Sequence, residues 1–282
     1  MPSRKKVLSF CGLSLLNLFL IGVCFVTLIP ILYAFSVSVS AQNSLLSSNF
    51  SFLPKAWTFE HYLSVFTDKP MLLWMGNTLC LAVGTVVLSL CAAVPAAYVF
   101  SRRRFRGRKA VLQVLLLLYS FPSLLSMFAL YKLLSPLGLI NSRIGLILVY
   151  TGTMSVFALW NMKGYFDTIP YDIEEAGQID GCSAVQLVLR IVLPLAKPSL
   201  VVTAVMVLVF VWNEYLFAIT FMTGAETYPL AAGLYSLQAT ETSGSWPLFA
   251  AASLMISLPI LLIFFSVQRH MNAGLTAGGV KG

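Results

Sequence analysis

Six apolar stretches, each about as long as a membrane-spanning helix, restrict this chain of 282 residues to a membrane fold. A helix needs about 20 apolar residues to cross the hydrocarbon core of a bilayer. None of the stretches alternates apolar with polar residues, and lipid cannot satisfy the backbone of open strands, so helices are expected. We therefore predict an all-α, polytopic membrane protein with six transmembrane helices in a single domain over 1–282. The expected spans are 8–34, 72–100, 110–134, 144–162, 200–222 and 248–267.

The composition supports the same class of protein. Hydrophobic residues make up 59% of the chain, charged residues only 10%, and the mean hydropathy is +0.87. A soluble domain carries about 25% charged residues, so this chain lacks the charge for an ordinary water-facing surface. The five cysteines show no metal-type spacing such as C-x2-C. We expect them to pack as small apolar side chains.

Lysine and arginine are distributed unevenly between the two sides of the predicted membrane region. With a cytoplasmic N-terminus, 14 of the 18 fall on the cytoplasmic side, as the positive-inside rule requires. Both termini and the polar loop 163–198 are therefore predicted to be cytoplasmic. The first apolar stretch is too long for the core of a secretory signal, so an uncleaved helix is expected. The basic cluster 102–109 is flanked by spans, so we expect it to anchor at anionic lipid head groups rather than bind nucleic acid.

The loop 163–198 carries the signals of a helix–turn–helix. Three acids follow Pro170, as expected for the electropositive first turn of a helix. Gly181 permits a sharp turn, and Ser183 with Gln186 forms the capping-box pattern of a second short helix. An amphipathic helix lying on the membrane is the alternative, but it would need basic residues and a broad apolar stripe. The first helix would present one narrow face that a partner protein can approach closely: Ile173, Ala176 and Gly177.

The same loop contains a spaced motif. Its residues read E-A-G-Q-I-D-G, then nine residues, then I-V-L-P. This order is similar to the E-A-A-x3-G-x9-I-x-L-P motif in the cytoplasmic docking loop of binding-protein-dependent ABC importer permeases. Gly177 stands where that family has alanine, and the chain end, Gln268-Arg269 and 274–282, resembles the C-terminus of the smaller membrane subunit of maltose/maltodextrin importers. The matching motif positions are Glu175, Ala176, Gly181, Ile191, Leu193 and Pro194.

The resemblance implies a carbohydrate permease subunit with the type I ABC importer permease fold and no covalent chemistry of its own. It implies two copies of a cytoplasmic ABC ATPase that use ATP and Mg, a second homologous permease subunit and an extracytoplasmic solute-binding protein. The substrate would be a maltodextrin-like oligosaccharide, and the complex would lie among the lipids of a prokaryotic cytoplasmic membrane. Glu175 would be the charge that contacts the ATPase. The implied coupling residues are Glu174, Glu175, Ala176, Gly177, Asp180, Gly181, Ile191, Leu193 and Pro194.

The glycine-rich tail imitates a phosphate-binding loop only superficially. No Ser or Thr follows Lys281, so the G-x4-G-K-S/T pattern is absent and no cofactor is expected in this chain. By resemblance, the tail reaches toward the ATPase, and a frayed terminus is the alternative. The tail residues concerned are Gly278, Gly279, Val280 and Lys281.

Two further groups are candidates for handling the substrate. The first, in the fifth predicted span, is Trp212, Asn213, Glu214 and Tyr215. A carboxylate at that depth either lines an aqueous pathway or is bonded between helices, and both interpretations stay open. The second group lies in the external loop between the last two spans and is expected to contact the binding protein, unless the loop is a passive linker. Its members are Tyr235, Gln238, Glu241 and Trp246.

Other classes of protein fit the sequence less well. An ion-coupled secondary transporter is expected to show inverted repeats and buried acids, and Glu214 is the one credible acid within a predicted span. A membrane-embedded enzyme needs clustered His, Asp or Glu, whereas His61 and His270 fall on opposite sides of the predicted membrane. An ABC permease for another sugar or a sugar-phosphate is the alternative to one for maltodextrin.

The predicted orientation can be tested at Cys182, which lies in the loop 163–198. In a variant that lacks the other four cysteines, a membrane-impermeant maleimide should label Cys182 in inside-out vesicles. It should not label intact cells whose outer permeability barrier has been removed, because the loop faces the cytoplasm. Labelling of those intact cells would contradict the orientation.

Overall fold

The computed structural model describes residues 4–41, 53–238 and 245–279. Within these ranges the regular structure is helical, apart from one isolated bridge between Ser40 and Trp57, which confirms the all-α class. Contacts divide the chain into two units, 1–69 with 237–255 and 70–236 with 256–282. The single domain over 1–282 stays a prediction.

The first unit contains α1 (Arg4–Ser38), α2 (Glu60–Thr67) and the beginning of α13 (Trp246–Gly279). The most apolar window of α1 has no buried residue. A helix that is apolar on all sides is suited to a lipid environment. The end of α1 is joined to α2 by a hydrogen bond of 2.7 Å between the hydroxyls of Ser38 and Tyr62.

The second unit is built around two long helices, α3 and α6, which pack more extensively on each other than on any other element. Gly84 of α3 approaches α6 so closely that a Cβ there would lie 2.7 Å from Ile147 Cδ1. The elements of this unit are α3 (Met71–Arg102), α4 (Arg108–Tyr119), α5 (Ser123–Leu134), α6 (Arg143–Phe166), α7 (Tyr171–Ile179), α8 (Ala184–Gln186), α9 (Leu193–Leu195), α10 (Lys197–Asn213), α11 (Leu216–Phe221), α12 (Leu230–Ser236) and the remainder of α13.

Four described helices are long and apolar enough to cross a membrane. They correspond to the first, second, fourth and sixth predicted spans. Two bent helix pairs would each add one span, so the described residues provide between four and six. The four continuous helices are Leu13–Ser38, Met71–Arg102, Arg143–Phe166 and Trp246–Gln268.

The third and fifth predicted spans are wrong as single helices. Residues 110–134 divide at Pro122 into α4 and α5, with a bend of 94° between Arg108–Tyr119 and Ser123–Leu137. The residue before a proline, here Phe121, is pushed away from helical backbone, so α4 ends just before it, at Tyr119. Residues 200–222 divide into α10 and α11, because Glu214 has extended backbone with a ψ of 121°. In addition, Ala184–Leu195 and Lys197–Asn213 meet at 81°.

The segment that follows α11 is fixed to the beginning of α3. Trp74 Nε1 donates to the carbonyl oxygen of Ala225 at 2.7 Å. Asn77 Nδ2 donates to the carbonyl oxygens of Glu226 at 2.9 Å and Tyr228 at 3.0 Å. Asn77 therefore holds the segment 225–228 against α3.

Candidate functional site

The beginning of the loop 163–198 folds as a helix, a turn and a second helix, which confirms that prediction. Pro170 is the N-cap of α7, and Gly181 follows the helix with a φ of +83°, a conformation that favours glycine. Ser183 and Gln186 form the predicted capping box. The backbone N–H of Ser183 donates to Gln186 Oε1 at 2.8 Å, and the backbone N–H of Gln186 donates to Ser183 Oγ at 3.4 Å.

The next turn of the loop is a π-helix, Leu187–Val192, which the sequence analysis did not predict. Pro194 provides the physical reason. It has no N–H, and in a regular α-helix its ring would clash with the carbonyl of Arg190 four residues earlier. A wider turn before Pro194 relieves that clash, and it also places Leu187 and Ile191 against α7.

The first part of the sequence motif, in α7, packs against the last part, in the π-helix, at Gly177. A Cβ on this residue would lie 2.5 Å from Ile191 Cδ1 and 2.8 Å from Leu187 Cδ2. Gly177 is buried, so the expectation that it belongs to a face open to a partner is wrong. Glycine in place of the family's alanine instead allows α7 to pack closely on the π-helix.

Helix α7 has two opposite faces. Its buried face consists of Glu174 and Gly177, three residues apart. Its exposed face carries the carboxylate of Glu175 next to Ala176 and Ile179, and Ile179 is 86% exposed. Exposed apolar side chains beside a charge form a surface suited to a protein partner. Among the other predicted coupling residues, Asp180, Gly181 and Pro194 are exposed, whereas Ile191 and Leu193 are half-buried.

The carboxylate of Glu174 is bonded within the chain. Its Oε1 accepts a hydrogen bond from Arg102 Nε at 2.6 Å, and its Oε2 accepts one from the Tyr98 hydroxyl at 2.9 Å. The Arg102 and Glu174 side chains are only 4% and 5% exposed. Glu174 is therefore not available to a partner. The expectation that Arg102 anchors at lipid head groups is also wrong.

Arg102 also holds the segment that leads into α7. Its Nη2 donates to the carbonyl oxygen of Ile169 at 3.0 Å. Its Cζ lies 4.4 Å from the centre of the Tyr171 ring, within the range of a cation–π contact. The Arg102 guanidinium thus joins the end of α3 to Ile169, in the segment before α7, and to Tyr171 and Glu174 in the first turns of α7.

A second set of polar contacts joins the ends of α3 and α6. Ser101 Oγ donates to Asp167 Oδ1 at 2.6 Å, and Lys163 Nζ lies 2.6 Å from Asp167 Oδ2. Partial burial raises the pKa of the Asp167 carboxyl, but hydrogen bonds from Lys163 and Ser101 outweigh it and lower the pKa from its usual value. The carboxylate is consequently ionised at neutral pH and accepts bonds from both helices.

The group Trp212–Tyr215 lies where α10 ends and α11 begins. Glu214 accepts hydrogen bonds from the Tyr150 hydroxyl at 2.5 Å and from the backbone N–H of Phe217 at 2.9 Å. It therefore joins α6 to the first turn of α11. Trp212 is buried, and its Nε1 donates to the carbonyl oxygen of Ile256 at 3.2 Å. Both contacts support the structural interpretation of these two residues.

Asn213 and Tyr215 differ from their neighbours because they are exposed. The Tyr215 ring stacks on that of Tyr235, with centroids 5.4 Å apart and an interplanar angle of 28°. The structure thus brings together one residue from each candidate substrate-handling group. In the first unit, Gln238 and Trp246 are exposed. Glu241 lies outside the described residues.

Two of the four predicted tail residues, Gly278 and Gly279, are the last residues of helix α13. The contact of the tail with the ATPase stays a prediction. Val280 and Lys281 lie outside the described residues.

The chain belongs to a family of multi-pass membrane transport proteins. Residues 85–276 match the family described as binding-protein-dependent transport system inner membrane component. The match covers more than half of the chain and includes the whole loop 163–198. It confirms the resemblance on which the docking-loop prediction was based.

Relatives and solved structures agree with this assignment. The galactooligosaccharides transport system permease protein GanQ of Bacillus subtilis (strain 168) is 36% identical over 100% of both chains. The maltodextrin transport system permease protein MdxG of the same organism is 34% identical over 99% of this chain and 97% of its own. A chain of a bacterial ABC transporter involved in the import of the acidic polysaccharide alginate superposes with a TM-score of 0.76. It is 27% identical, covering 95% of this chain and 98% of that chain, so the two share a fold.

The close packing at Gly177 can be tested by substitution. Gly177→Val should destabilise the loop by about 1–3 kcal/mol, because a branched side chain has no room against Leu187 and Ile191. Gly177→Ala is the control, since it displaces only the flexible ends of those side chains and gains about 1 kcal/mol of helix propensity. The thermal unfolding temperature of the purified protein should fall for valine and change little for alanine. Equal unfolding temperatures would contradict the packing.

Proposed function

We propose that this chain is a permease subunit of an ATP-driven, binding-protein-dependent importer for an oligosaccharide. We further propose that α7 is its contact with a cytoplasmic ABC ATPase. The observation that supports the contact is the division of α7 into a face bonded to α3 and an exposed face with Glu175, Ala176 and Ile179. A helix arranged in this way can receive a partner on one side and pass its movement to the spans on the other.

Glu175 is the charge that pairs with a basic residue of the ATPase in this proposal. It lines a polar cavity of about 390 Å³ together with Arg103 and Gln178. The cavity therefore presents both a negative charge, the Glu175 carboxylate, and a positive charge, the Arg103 guanidinium, to a partner that docks there. Charges of both signs at an interface fix the orientation of a partner and exclude other proteins; they contribute more to this specificity than to the binding affinity.

The proposed cycle assigns the chemistry to the partners. Two ATPase subunits close on ATP and Mg and move the docking helices of this chain and of a second homologous permease. The pathway between the permeases then changes from inward-facing to outward-facing, and an extracytoplasmic binding protein delivers the substrate. This chain performs no covalent step. It would lie in a prokaryotic cytoplasmic membrane, with both termini and α7 in the cytoplasm and the tail 278–281 near the ATPase.

The names of the relatives support a carbohydrate as the substrate. They refer to galactooligosaccharides and maltodextrin, and the superposed transporter imports alginate. We propose a maltodextrin-like oligosaccharide, with another sugar or a sugar-phosphate as the alternative. The exposed Tyr215–Tyr235 pair supplies aromatic faces with polar edges, which suit a sugar at the permease surface.

The test of the function is transport by the complete complex in proteoliposomes. Uptake of labelled maltodextrin or galactooligosaccharide should require ATP inside the vesicles and the binding protein outside. Purification in mild detergent should retain the ATPase and the second permease. Uptake by this chain alone, driven by an ion gradient, would contradict the proposal.

The role of Glu175 can be tested by reversing its charge. Disrupting a close interfacial charge pair costs about 2–5 kcal/mol, so Glu175→Lys should weaken ATPase binding by about 30-fold or more and abolish uptake. Membrane insertion should be unchanged because Glu175 is exposed. The measurement is co-purification of the ATPase alongside uptake.

Glu60→Lys is the matched control for that experiment. Glu60 is an exposed acid in α2, and its reversal changes the net charge by the same amount. The Glu60→Lys protein should bind the ATPase and transport like wild type. If Glu175→Lys does so as well, Glu175 is not the charge contact.

A further inference from the structure

We propose that Arg102 and Glu174 form a joint through which the docking helix α7 moves α3, and that both act as positioning residues in transport. This inference rests on the proposed function, because it concerns how movement of α7 reaches the spans. The joint is defined by the Arg102–Glu174 ion pair and the Tyr98 hydroxyl that bonds the same carboxylate.

The need for a joint follows from the order of the chain. Helix α7 is joined to α6 by the four residues 167–170 and is linked along the chain to α10 through α8, the π-helix and α9. Helix α3 has no such route, since Arg102 and Glu174 are 72 residues apart. Movement of α7 can therefore reach α3 directly only through non-covalent contacts.

The geometry of the joint resists both sliding and rotation. Tyr98 and Arg102 are four residues apart, so they project from the same face of α3. They bond the two different oxygens of the Glu174 carboxylate, at 2.9 Å and 2.6 Å. Charge-assisted hydrogen bonds have defined directions, whereas apolar contacts slide more easily. Two such bonds to one carboxylate fix the orientation of α7 relative to α3.

The far end of α3 gives the joint a consequence for transport. Trp74 and Asn77, near the beginning of α3, hold the segment 225–228. Helix α3 is continuous from Met71 to Arg102, and a helix of 32 residues is about 48 Å long. A displacement at Arg102 can therefore be carried by one helix to the segment that precedes Tyr235. In the predicted topology this segment is on the opposite side of the membrane.

The main test variant is Glu174→Gln, which keeps the size of the side chain but removes its charge. Binding-protein-stimulated ATP hydrolysis and sugar uptake should each fall about tenfold, the effect of losing one charge-assisted hydrogen bond. Co-purification of the ATPase and basal hydrolysis should stay at wild-type levels, because the exposed face of α7 is unchanged.

Lys163→Gln is the matched control. It removes an ion pair of the same 2.6 Å length between two residues at the end of α6, and it leaves both the Arg102–Glu174 pair and the Ser101–Asp167 hydrogen bond to α3 in place. Its uptake and stimulated hydrolysis should equal those of wild type. A Glu174→Gln complex that transports as well as this control would overturn the joint.

A double variant separates the joint from a purely stabilising role. Removing one partner of a buried ion pair leaves an unpaired charge, but replacing both with apolar residues is often neutral for stability. Arg102→Met with Glu174→Leu should therefore assemble and unfold at the wild-type temperature yet remain impaired in stimulated uptake. Full recovery of uptake in this variant would overturn the proposal, because apolar packing between α7 and α3 would then transmit the movement without the ion pair.

Spin labels provide a readout that does not depend on activity. One label is placed on native Cys182, just after α7, and the other on Val99→Cys, an exposed position of α3, with the remaining cysteines replaced. In the wild-type complex their distance should stay the same with and without ATP. In Glu174→Gln it should change with nucleotide, and an unchanged distance there would overturn the joint. If the wild-type complex shows no ATP-dependent uptake, the proposed function is wrong. If the wild-type complex transports and Glu174→Gln transports equally well, the proposed function stands and only the joint is wrong.

Discussion

The buried ion pair between Arg102 and Glu174 is the interaction on which the docking region depends. Removing a guanidinium and a carboxylate from water costs several kcal/mol per ion, and their attraction offsets this only when the remaining donors and acceptors are also bonded. Here Tyr98 donates to the carboxylate, and Arg102 also donates to the Ile169 carbonyl and lies over the Tyr171 ring. These contacts determine which face of α7 is turned inward, and thereby which face is left for a partner.

The sequence motif has a different physical explanation at each of its positions. Gly181 supplies the left-handed turn after α7, and Gly177 allows close packing against Leu187 and Ile191. Pro194 accounts for the π-helix that brings those two side chains into contact with α7. Most of the motif therefore shapes the loop, and only its exposed positions, such as Glu175 and Ala176, are left for recognition.

Features that depend on neighbouring residues could be predicted from the sequence. The capping box and the glycine turn involve residues within a few positions of each other, and both were confirmed. The break at Glu214 was missed because the length of an apolar stretch contains no information about bends. At Pro122 the sequence marks the position of a break, because proline interrupts a helix, but it does not give the size of the 94° bend. The different roles of Glu174 and Glu175 were missed because two adjacent acids look alike until a residue 72 positions away pairs with one of them.

The central claim is that the exposed face of α7 is covered by the ATPase. The direct measurement is the rate at which maleimide modifies Ala176→Cys, in a variant without other cysteines, with and without the bound ATPase. The rate should fall when the ATPase is bound, whereas Arg106→Cys, at an exposed position between α3 and α4, should react equally in both states. Equal reactivity of Ala176→Cys in both states would contradict the claim.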